Sequence, residues 1–289
     1  MFNDDFGKGG GGSAESYPFT RSDFTAIAAL VHSHSGIVLA EGKAMLVYSR
    51  LTKLLRARGL ARFGDYVALL RNDRDERIAA IEALTTNHTK FFRENHHFEH
   101  FTDHVRPALL AMAQRRQRVR LWSAGSSSGE EVHSLMMTLL GADANEAQAL
   151  RNGDVVALAS DLNRQVLDTG RRGLYPASAA DEIPAALGRL WTRKTADGVQ
   201  MADALRGLIR FRQLNLLNEW PMRGRFDVIF CRNTMIYFDE PTKARLIARM
   251  ADQLVPGGYL YIGHSERLVG PATDHFSAVG QTIYRKTGA

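Results

Sequence analysis

Apolar positions recur at three- and four-residue spacing from Ser22 to about Leu84, in "DFTAIAALVHSH", "KAMLVYSRLTKLLRARG", "FGDYVALLR" and "ERIAAIEAL". This spacing is typical of amphipathic α-helices. The preceding residues include "GKGGGGS" and lack periodic apolar positions, which is typical of a flexible tail. The pattern therefore predicts a flexible tail over residues 1–16 and a small helical domain over residues 17–90.

The rhythm changes beyond about Arg116, where fully apolar segments alternate with amphipathic ones. "VRLWSA" precedes "EEVHSLMMTLL", "VVALAS" precedes "NRQVLDTGR", "FDVIFC" precedes "EPTKARLIARMADQL", and "GGYLYIGHS" closes the series. Apolar strands that alternate with helices are typical of a parallel sheet covered on both faces. We therefore predict an α/β domain over residues 91–289, interrupted by a segment of ambiguous pattern at about 174–209.

Composition narrows the class of protein. No apolar run approaches the roughly twenty residues of a membrane span, and the N-terminus lacks the layout of a signal peptide. The single cysteine, Cys231, excludes an intrachain disulfide and a multi-cysteine metal site. The histidines of "HHFEHFTDH" lack an H-E-x-x-H arrangement. We expect a cytoplasmic protein with no membrane insertion and no bound metal.

The segment "AGSSSGEE" joins the first apolar strand to the helix that follows it. Its glycine spacing differs from the G-x-G-x-x-G of dinucleotide sites, and it lacks the G-K-[ST] of phosphate loops. Glu130 and Glu131 stand where a helix N-terminus would otherwise attract phosphate. Either Ser127 and Ser128 form capping boxes with these acids, or a carboxylate here attracts a cationic, phosphate-free ligand such as S-adenosylmethionine.

Polar residues also follow two later strands. Asp161 ends the strand "VVALAS", where an acid in nucleoside-binding sheets accepts hydrogen bonds from ribose hydroxyls. The alternative is that Asp161 caps the helix that starts near Asn163. Arg232 and Asn233 directly follow "FDVIFC", where an open sheet presents its active site. Tyr237 comes four residues later, which brings its hydroxyl within reach of the same crevice.

The segment "TNHTKFFR" surrounds an apolar pair with polar side chains. Asn87, Thr89 and Arg93 stand on either side of Phe91 and Phe92. Taken alone, this pattern favours a capped helix start whose two phenylalanines enter the core.

The positive charge is concentrated in one stretch of the chain. Residues 42–64 carry six basic residues and no acid, and the whole chain has a net charge of +6. Arg50, Lys53 and Arg56 recur every three residues, so they fall near one face of the predicted helix. A solvated helix face is the common explanation, but unbalanced charge also raises the encounter rate with an acidic surface.

These segments together resemble the CheR family of bacterial chemotaxis receptor methyltransferases. The resemblance runs from about Phe19 to Arg285, and "TNHTKFFRE", "LWSAGSSSGEE", "ASDLN", "RQLNLL", "FDVIFCRNTMIYFD" and "PGGYLYIGHSE" carry it in one order. It implies an N-terminal helical domain, a Rossmann-like methyltransferase domain and a small antiparallel β subdomain inserted in it. It further implies transfer of the methyl group of S-adenosylmethionine to glutamate side chains on the cytoplasmic helices of methyl-accepting chemoreceptors, with S-adenosylhomocysteine as product.

The resemblance also implies roles for individual residues. Asn87, Thr89 and Arg93 are implied to line the methionine end of the cofactor. Glu130 is implied to contact the cofactor at the glycine turn. Asp161 is implied to bind the ribose, and Asn215 and Leu216 to contact the adenine side. Arg232 and Asn233 are implied to contact the cofactor near the reacting methyl group. Arg93 and Tyr237 are implied to stand closest to the transfer site, and Arg50, Lys53 and Arg56 to face the receptor.

The chain departs from the family pattern in two segments. "GEEVHS" stands where the family commonly shows "GEEPYS", so a role for that tyrosine is not carried over. "RKTADGVQ" is shorter and less glycine-rich than in members that dock on a receptor's C-terminal tether peptide. We therefore carry over no tether-binding role.

Two other functions remain alternatives. The basic charge suggests a nucleic-acid methyltransferase, but "RNTMIYF" stands where adenine amino-methylating enzymes carry [DN]-P-P-[YFW]. Cys231 in a strand also does not offer the loop nucleophile of a cytosine-C5 enzyme. The second alternative is a non-catalytic cofactor-binding scaffold of a signalling array, against which Arg93 and Tyr237 argue. We expect a monomer with no nucleic-acid partner.

Overall fold

A computed structural model describes residues 17–85 and 88–288, which form two compact units. Among these residues, one unit contains 17–85 together with Tyr237–Asp239, and the other contains 88–236 and 240–288. The predicted tail at 1–16 and the predicted site residue Asn87 lie outside the described residues. In the described part of the chain, no helix is long and apolar enough to cross a membrane.

The first unit is helical, as the spacing of its apolar residues predicts. Its α-helices are α1 (Arg21–Ser35), α2 (Ala44–Ala57), α3 (Phe63–Asn72) and α4 (Arg74–Leu84). A capping box between Thr20 and Asp23 begins α1, which satisfies otherwise orphaned N–H groups. Val47, Leu51 and Leu55 form the fully buried face of α2. The apolar residues at helical spacing in this segment are therefore those that pack in the core.

The second unit alternates strands and helices. Its strands are β1 (Arg118–Ala124), β2 (Asp154–Asp161), β3 (Leu174–Tyr175), β4 (Thr192–Thr195), β5 (Gly198–Met201), β6 (Ile209–Gln213), β7 (Phe226–Cys231), β8 (Leu254–Ile262), β9 (Phe276–Gly280) and β10 (Ile283–Lys286). Its α-helices are α5 (His96–His100), α6 (Arg106–Gln114), α7 (Glu130–Leu140), α8 (Ala144–Asn152), α9 (Arg164–Arg172), α10 (Ala185–Trp191), α11 (Asp203–Arg206) and α12 (Glu240–Gln253).

Seven strands form the main sheet, in the order β6-β2-β1-β7-β8-β10-β9. The five from β6 to β8 are parallel, as predicted, so their carboxyl ends meet at one edge, called here the carboxyl edge. The expectation that β8 closes the series was wrong, because β9 and β10 extend the sheet as an antiparallel hairpin. β9 is largely exposed, and such a strand lacks the apolar run that marks a buried one.

The Pro-Gly-Gly segment of residues 256–258 lies within β8. Pairing with β7 shifts between Phe226↔Leu254 and Val228↔Tyr259, so residues 255–258 form an irregularity in the strand. An unpaired proline is compatible with such a position because it has no N–H to donate.

The segment at 174–209 contains the antiparallel subdomain that the family resemblance implies. β3, β5 and β4 form a three-stranded antiparallel sheet in that order. The Trp191 indole N–H donates to the Gly141 carbonyl at the end of α7, at 2.8 Å. This hydrogen bond joins the end of α10, in the inserted segment, to the end of the helix that begins at the glycine turn.

Candidate functional site at the carboxyl edge

The structure brings most of the predicted cofactor residues to the carboxyl edge. They follow β1, β2, β6 and β7 along the chain, and they are Glu130, Asp161, Asn215, Leu216, Arg232 and Asn233. The Leu214 N–H donates to the Asp161 carbonyl at 2.9 Å, so the segment after β6 lies beside the end of β2. These residues lie at one edge because each of them ends or follows a parallel strand of the same sheet.

Two glycines shape the turn between β1 and α7. Both have left-handed backbone, with φ of 80° at Gly125 and 96° at Gly129. A Cβ atom on Gly125 would lie 2.2 Å from the Thr234 hydroxyl oxygen, and one on Gly129 would lie 2.9 Å from the Gly170 Cα. Neither position accepts a side chain, so the turn packs closely against its neighbouring segments.

The capping-box interpretation of the turn was wrong. Gly129 is the N-cap of α7, and no side chain caps this helix. The Ser128 hydroxyl instead donates to the Glu130 carboxylate at 2.7 Å. Burial raises the pKa of Glu130, the Ser128 hydrogen bond opposes the rise, and the negative charge of Glu182 adds to it. The turn thus carries a carboxylate in surroundings that favour a nearby cation.

The interpretation of Asp161 as a helix cap was also wrong. Asn163 caps α9 by accepting hydrogen bonds from the N–H groups of Gln165 and Val166. The Asp161 carboxylate accepts from the Ser127 N–H and the Asn163 N–H, each at 2.9 Å. Asp161 therefore links the end of β2 to the glycine turn.

A buried histidine and a buried tyrosine form a hydrogen-bond chain to the backbone of the glycine turn. The Tyr175 hydroxyl donates to the Ser128 carbonyl at 2.8 Å and lies 2.9 Å from His133 Nδ1. A phenol has one hydrogen, so Nδ1 of His133 must carry the proton that completes this contact. Burial, aided by the charge of Arg206, lowers the pKa of His133 to about 3, so the imidazole is neutral. In this chain the histidine of "GEEVHS" thus positions the turn through the inserted sheet.

Backbone strain is concentrated at the same edge. Four non-glycine residues of the second unit near the predicted site have left-handed φ values of 48–59°, namely Phe92, Glu94, Ser127 and Asn233. Each such residue costs on the order of 1–3 kcal/mol and persists only where the surroundings hold it. These four residues lie in the segment around Arg93, in the glycine turn and directly after β7.

Side chains from two elements hold the segment around Arg93. The Phe91 N–H donates to the Glu182 carboxylate at 2.8 Å, and the Phe92 N–H donates to the Ser134 hydroxyl at 3.0 Å. Phe91 is buried as the sequence predicts, but Phe92 is only partly buried. The predicted capped helix start was wrong, because residues 91–95 form turns and bends and α5 begins at His96. The Arg93 side chain is 30% exposed and donates to the His88 carbonyl at 3.0 Å. The guanidinium therefore stands at the surface on a rigidly held backbone.

Glu94, which no sequence pattern had marked as a site residue, connects three of the predicted site residues. Its carboxylate lies 3.2 Å from Arg232 Nη2 and 4.0 Å from Arg93 Nε, and it accepts from the Asn233 amide at 3.2 Å. Burial opposes ionisation of Glu94, but the Arg232 charge and hydrogen bonds from His264, Asn233 and Arg232 outweigh it and lower its pKa to about 2. Glu94 is therefore ionised at neutral pH.

The Arg232 guanidinium lies inside the unit. Its side chain is 1% exposed, lies 3.2 Å from the Glu131 carboxylate, and donates to the Arg93 carbonyl. The same guanidinium stands 5.6 Å from the Phe98 ring centroid, within reach of a cation–π interaction. Burial raises the pKa of Glu131, and the Arg232 charge and the hydrogen bond from the Ser123 hydroxyl oppose this rise.

Glu266 is a second acid at this edge that no sequence pattern had marked as a site residue. It is 6% exposed and accepts from the N–H groups of Gly263, Asn233 and Ile236 at 2.6, 3.0 and 3.1 Å. These bonds join the end of β8 to the turn after β7. Glu94 and Glu266 are the last residues of two of the segments that carry the family resemblance. Their place in those segments is the sequence signal that could have identified them.

The remaining predicted residues lie in other surroundings. Thr89 is partly buried four residues before Arg93. Tyr237 belongs to the helical unit, where its carbonyl accepts from the Val38 N–H at 2.8 Å and its ring lies 5.6 Å from Lys43 Nζ.

The three predicted receptor-binding residues differ in surroundings. Arg50 Nη1 donates to the carbonyls of Ala83, Leu84 and Thr85 at the end of α4, at 3.3, 3.0 and 2.7 Å. Lys53 and Arg56 are exposed on α2. Arg50 thus caps α4, while the other two present charge to solvent.

In the described part of the chain, no group of three or more histidine, cysteine, aspartate or glutamate side chains is arranged to hold a metal ion. Cys231 is fully buried, and burial raises its thiol pKa well above the ordinary value. A buried, protonated thiol is a poor nucleophile.

Both units match known families. Residues 22–85 match the all-alpha domain of CheR methyltransferases, and residues 87–285 match the SAM-binding domain of CheR methyltransferases. The chain is 44% identical over 264 residues to a probable chemotaxis protein methyltransferase of Rhizobium etli, which covers 89% of this chain and 97% of that relative. It is 41% identical over 275 residues to chemotaxis protein methyltransferase 2 of Pseudomonas aeruginosa, covering 93% and 95%.

The chemotaxis protein methyltransferase of Escherichia coli is 38% identical over 268 residues, covering 90% of this chain and 89% of that protein. These alignments include both the helical unit and the carboxyl edge with its glycine turn. The chain belongs to the CheR methyltransferase family.

Proposed function

We propose that the protein is an S-adenosylmethionine-dependent O-methyltransferase that methylates glutamate side chains on the cytoplasmic helices of chemoreceptors. The observation that carries the proposal is the carboxyl edge, where an acidic glycine turn stands beside a strained segment that presents Arg93. The family membership supports the reaction type. A cytoplasmic, monomeric protein is part of the same proposal.

The residues present fit the proposed cofactor. The turn and the adjacent end of β2 offer the carboxylates of Glu130 and Asp161, where a phosphate-binding turn offers only N–H groups. The Ser126 hydroxyl at the same turn is buried and has no hydrogen-bond partner among the described residues, as expected where a ligand completes the site. S-adenosylmethionine, when bound, would supply an electrophilic methyl group on a sulfonium.

We assign the cofactor contacts as the family pattern implies, with one refinement. The proposed set remains Asn87, Thr89, Arg93, Glu130, Asp161, Asn215, Leu216, Arg232 and Asn233. Because the Arg232 side chain is 1% exposed, a bound cofactor would meet this residue through its main chain. The guanidinium has a positioning role, since it holds Glu94 and Glu131.

The proposed reaction requires the protein to align the nucleophilic carboxylate with the methyl group, and it requires no general base. A glutamate carboxylate is ionised at neutral pH, so it is already a nucleophile. Holding it in line with the sulfur–methyl bond accounts for several kcal/mol of the barrier. We propose that Arg93 and Tyr237 hold this carboxylate.

One experiment tests the function against both alternatives. The protein is incubated with methyl-labelled S-adenosylmethionine and either receptor membranes or nucleic acid, and the product is treated with mild base. A carboxyl methyl ester releases methanol, and we expect this outcome with receptor membranes only. Base-stable label on nucleic acid would favour the first alternative, and absence of transferred label would favour the scaffold.

The exposed charge on α2 is proposed to contact the acidic receptor. Reversing Lys53 and Arg56 to glutamate should raise the KM for receptor several-fold and leave the Kd of S-adenosylmethionine unchanged, because the charges steer encounter. Arg50 is left intact in this test because its reversal would also remove the cap of α4. Reversal of Arg71 and Arg74, exposed on α3 and α4, is the matched control. A parallel loss of cofactor affinity would contradict the assignment.

A further inference from the structure

His264 is an exposed histidine at the carboxyl edge that has no role in the proposed reaction so far. It follows β8 directly after Gly263, whose N–H is fixed by the buried Glu266 at 2.6 Å. The His264 side chain is 59% exposed, and its Nδ1 lies 2.8 Å from Glu94 Oε1. A solvent-facing imidazole is thus attached to the carboxylate that also holds Arg232 and Asn233.

The protonation state of Glu94 fixes the orientation of this imidazole. An ionised carboxylate only accepts hydrogen bonds, so His264 Nδ1 must donate. Nε2 is then the ring nitrogen left to bind another molecule. A carboxylate that orients a histidine in this way is a common support for histidines that contact a ligand.

Glu94 holds a second basic group close to the first. Its Oε1 lies 4.0 Å from Arg93 Nε as well as 2.8 Å from His264 Nδ1. Arg93 and His264 are both solvent-accessible, whereas Glu94 is 11% exposed. An anion approaching this edge therefore meets two cation-forming side chains before it meets the acid that positions them.

We propose that His264 binds the side-chain carboxylate of the glutamate that is methylated, and that Glu94 is the positioning residue that orients His264. The inference rests on the proposed function, because it requires a carboxylate as nucleophile. One carboxylate oxygen forms a bond to the methyl group as the sulfur–methyl bond breaks and S-adenosylhomocysteine leaves, while the other oxygen accepts a hydrogen bond from Nε2–H of the doubly protonated His264 ring. This arrangement holds the nucleophile without blocking the attacking oxygen.

The test separates substrate binding from cofactor binding. His264→Ala should raise the KM for receptor membranes about tenfold or more, the factor expected for loss of one charge-assisted hydrogen bond. The Kd of S-adenosylmethionine, measured by calorimetry, and the Tm should not change, because the side chain is exposed. His264→Lys should restore much of the receptor affinity, whereas the neutral His264→Gln should not.

His275→Ala is the matched control. It removes an exposed histidine that precedes β9, near the amino end of β8 and therefore at the opposite edge of the sheet. Glu94→Ala and His264→Ala should be less than additive in their effects on receptor KM if Glu94 acts by orienting His264. Full additivity would overturn the positioning role.

The failures of the two proposals can be told apart. If the wild-type protein transfers no base-labile methyl group to receptors, the proposed function fails whatever His264 does. If it transfers them normally and His264→Ala leaves the receptor KM within twofold, only the role of His264 is overturned. A change in cofactor Kd with an unchanged receptor KM would overturn it as well.

Discussion

Replacing Arg232 by methionine is expected to lower the free energy of unfolding by about 3–5 kcal/mol at neutral pH, the cost of removing one partner of a buried ion pair. The Arg232 side chain is 1% exposed and lies 3.2 Å from both Glu94 and Glu131. Without it, two acids of low exposure lose their shared cation. Urea unfolding followed by tryptophan fluorescence measures the loss, because Trp122, Trp191 and Trp220 all lie in the second unit.

Two controls isolate the buried pair. Arg171→Met breaks an ion pair with Asp168 in which both side chains are more than half exposed, so it should cost about 0–1 kcal/mol. Combining Arg232→Met with glutamine at Glu94 and Glu131 should recover part of the stability, because no unpaired charge remains. A loss from Arg232→Met no larger than that from Arg171→Met would contradict the prediction.

The same variant has an expected pH dependence. The folded protein lowers the pKa of Glu94 to about 2, so this group contributes stability above its unfolded pKa of about 4.3 and loses it as the pH falls toward 2. Arg232 causes much of that stabilisation. The difference between wild type and Arg232→Met should therefore shrink below about pH 4.5.

Arg93→Ala should reduce methyl transfer by roughly two to three orders of magnitude, as for loss of one charge-stabilising donor in an active site, while the protein stays folded. The guanidinium is 30% exposed, donates to the His88 carbonyl at 3.0 Å and lies 4.0 Å from the Glu94 carboxylate. Its removal therefore breaks little of the fold. The buried contacts of this residue run through its main chain, which the substitution keeps.

Single-turnover transfer to receptor membranes, together with the Tm, measures this effect. Lys90→Ala is the matched control, because it removes an exposed charge three residues away and should leave transfer unchanged. Arg93→Lys should restore only part of the rate, since an ammonium lacks the planar fork that binds a carboxylate through two parallel hydrogen bonds. Near-normal transfer by a folded Arg93→Ala protein would reject the role of Arg93.

The main elements could be predicted where the signal is local. β1, β2 and β7 are apolar throughout because both faces of a parallel strand are covered, and α2 shows its buried face at helical spacing. β6 was missed, although "IRFRQ" alternates apolar and polar residues as a strand at the edge of a sheet does. The short helix α8 was also missed, because "ANEAQALRN" contains too few apolar residues to show a period.

Strand position and motif spacing differed in what they predicted about the carboxyl edge. Counting residues from strand ends placed Glu130, Asp161 and Asn233 at one edge, since parallel strands share that edge. Motif spacing alone wrongly suggested capping boxes at Ser127 and Ser128, because it does not specify backbone dihedrals. It also did not show that Arg50 caps α4.

The sequence by itself determined the two kinds of domain, the parallel strands and the acidic glycine turn, because these depend on residue order over a few to about twenty positions. Only the tertiary structure decided that Glu94 joins Arg232 and His264, which lie 138 and 170 residues further along the chain. It also decided which polar side chains are buried, as for Arg232 and Glu266, and which are exposed, as for His264. Such pairings are specified by packing of the whole sheet, and no local pattern of hydrophobic and polar positions encodes them.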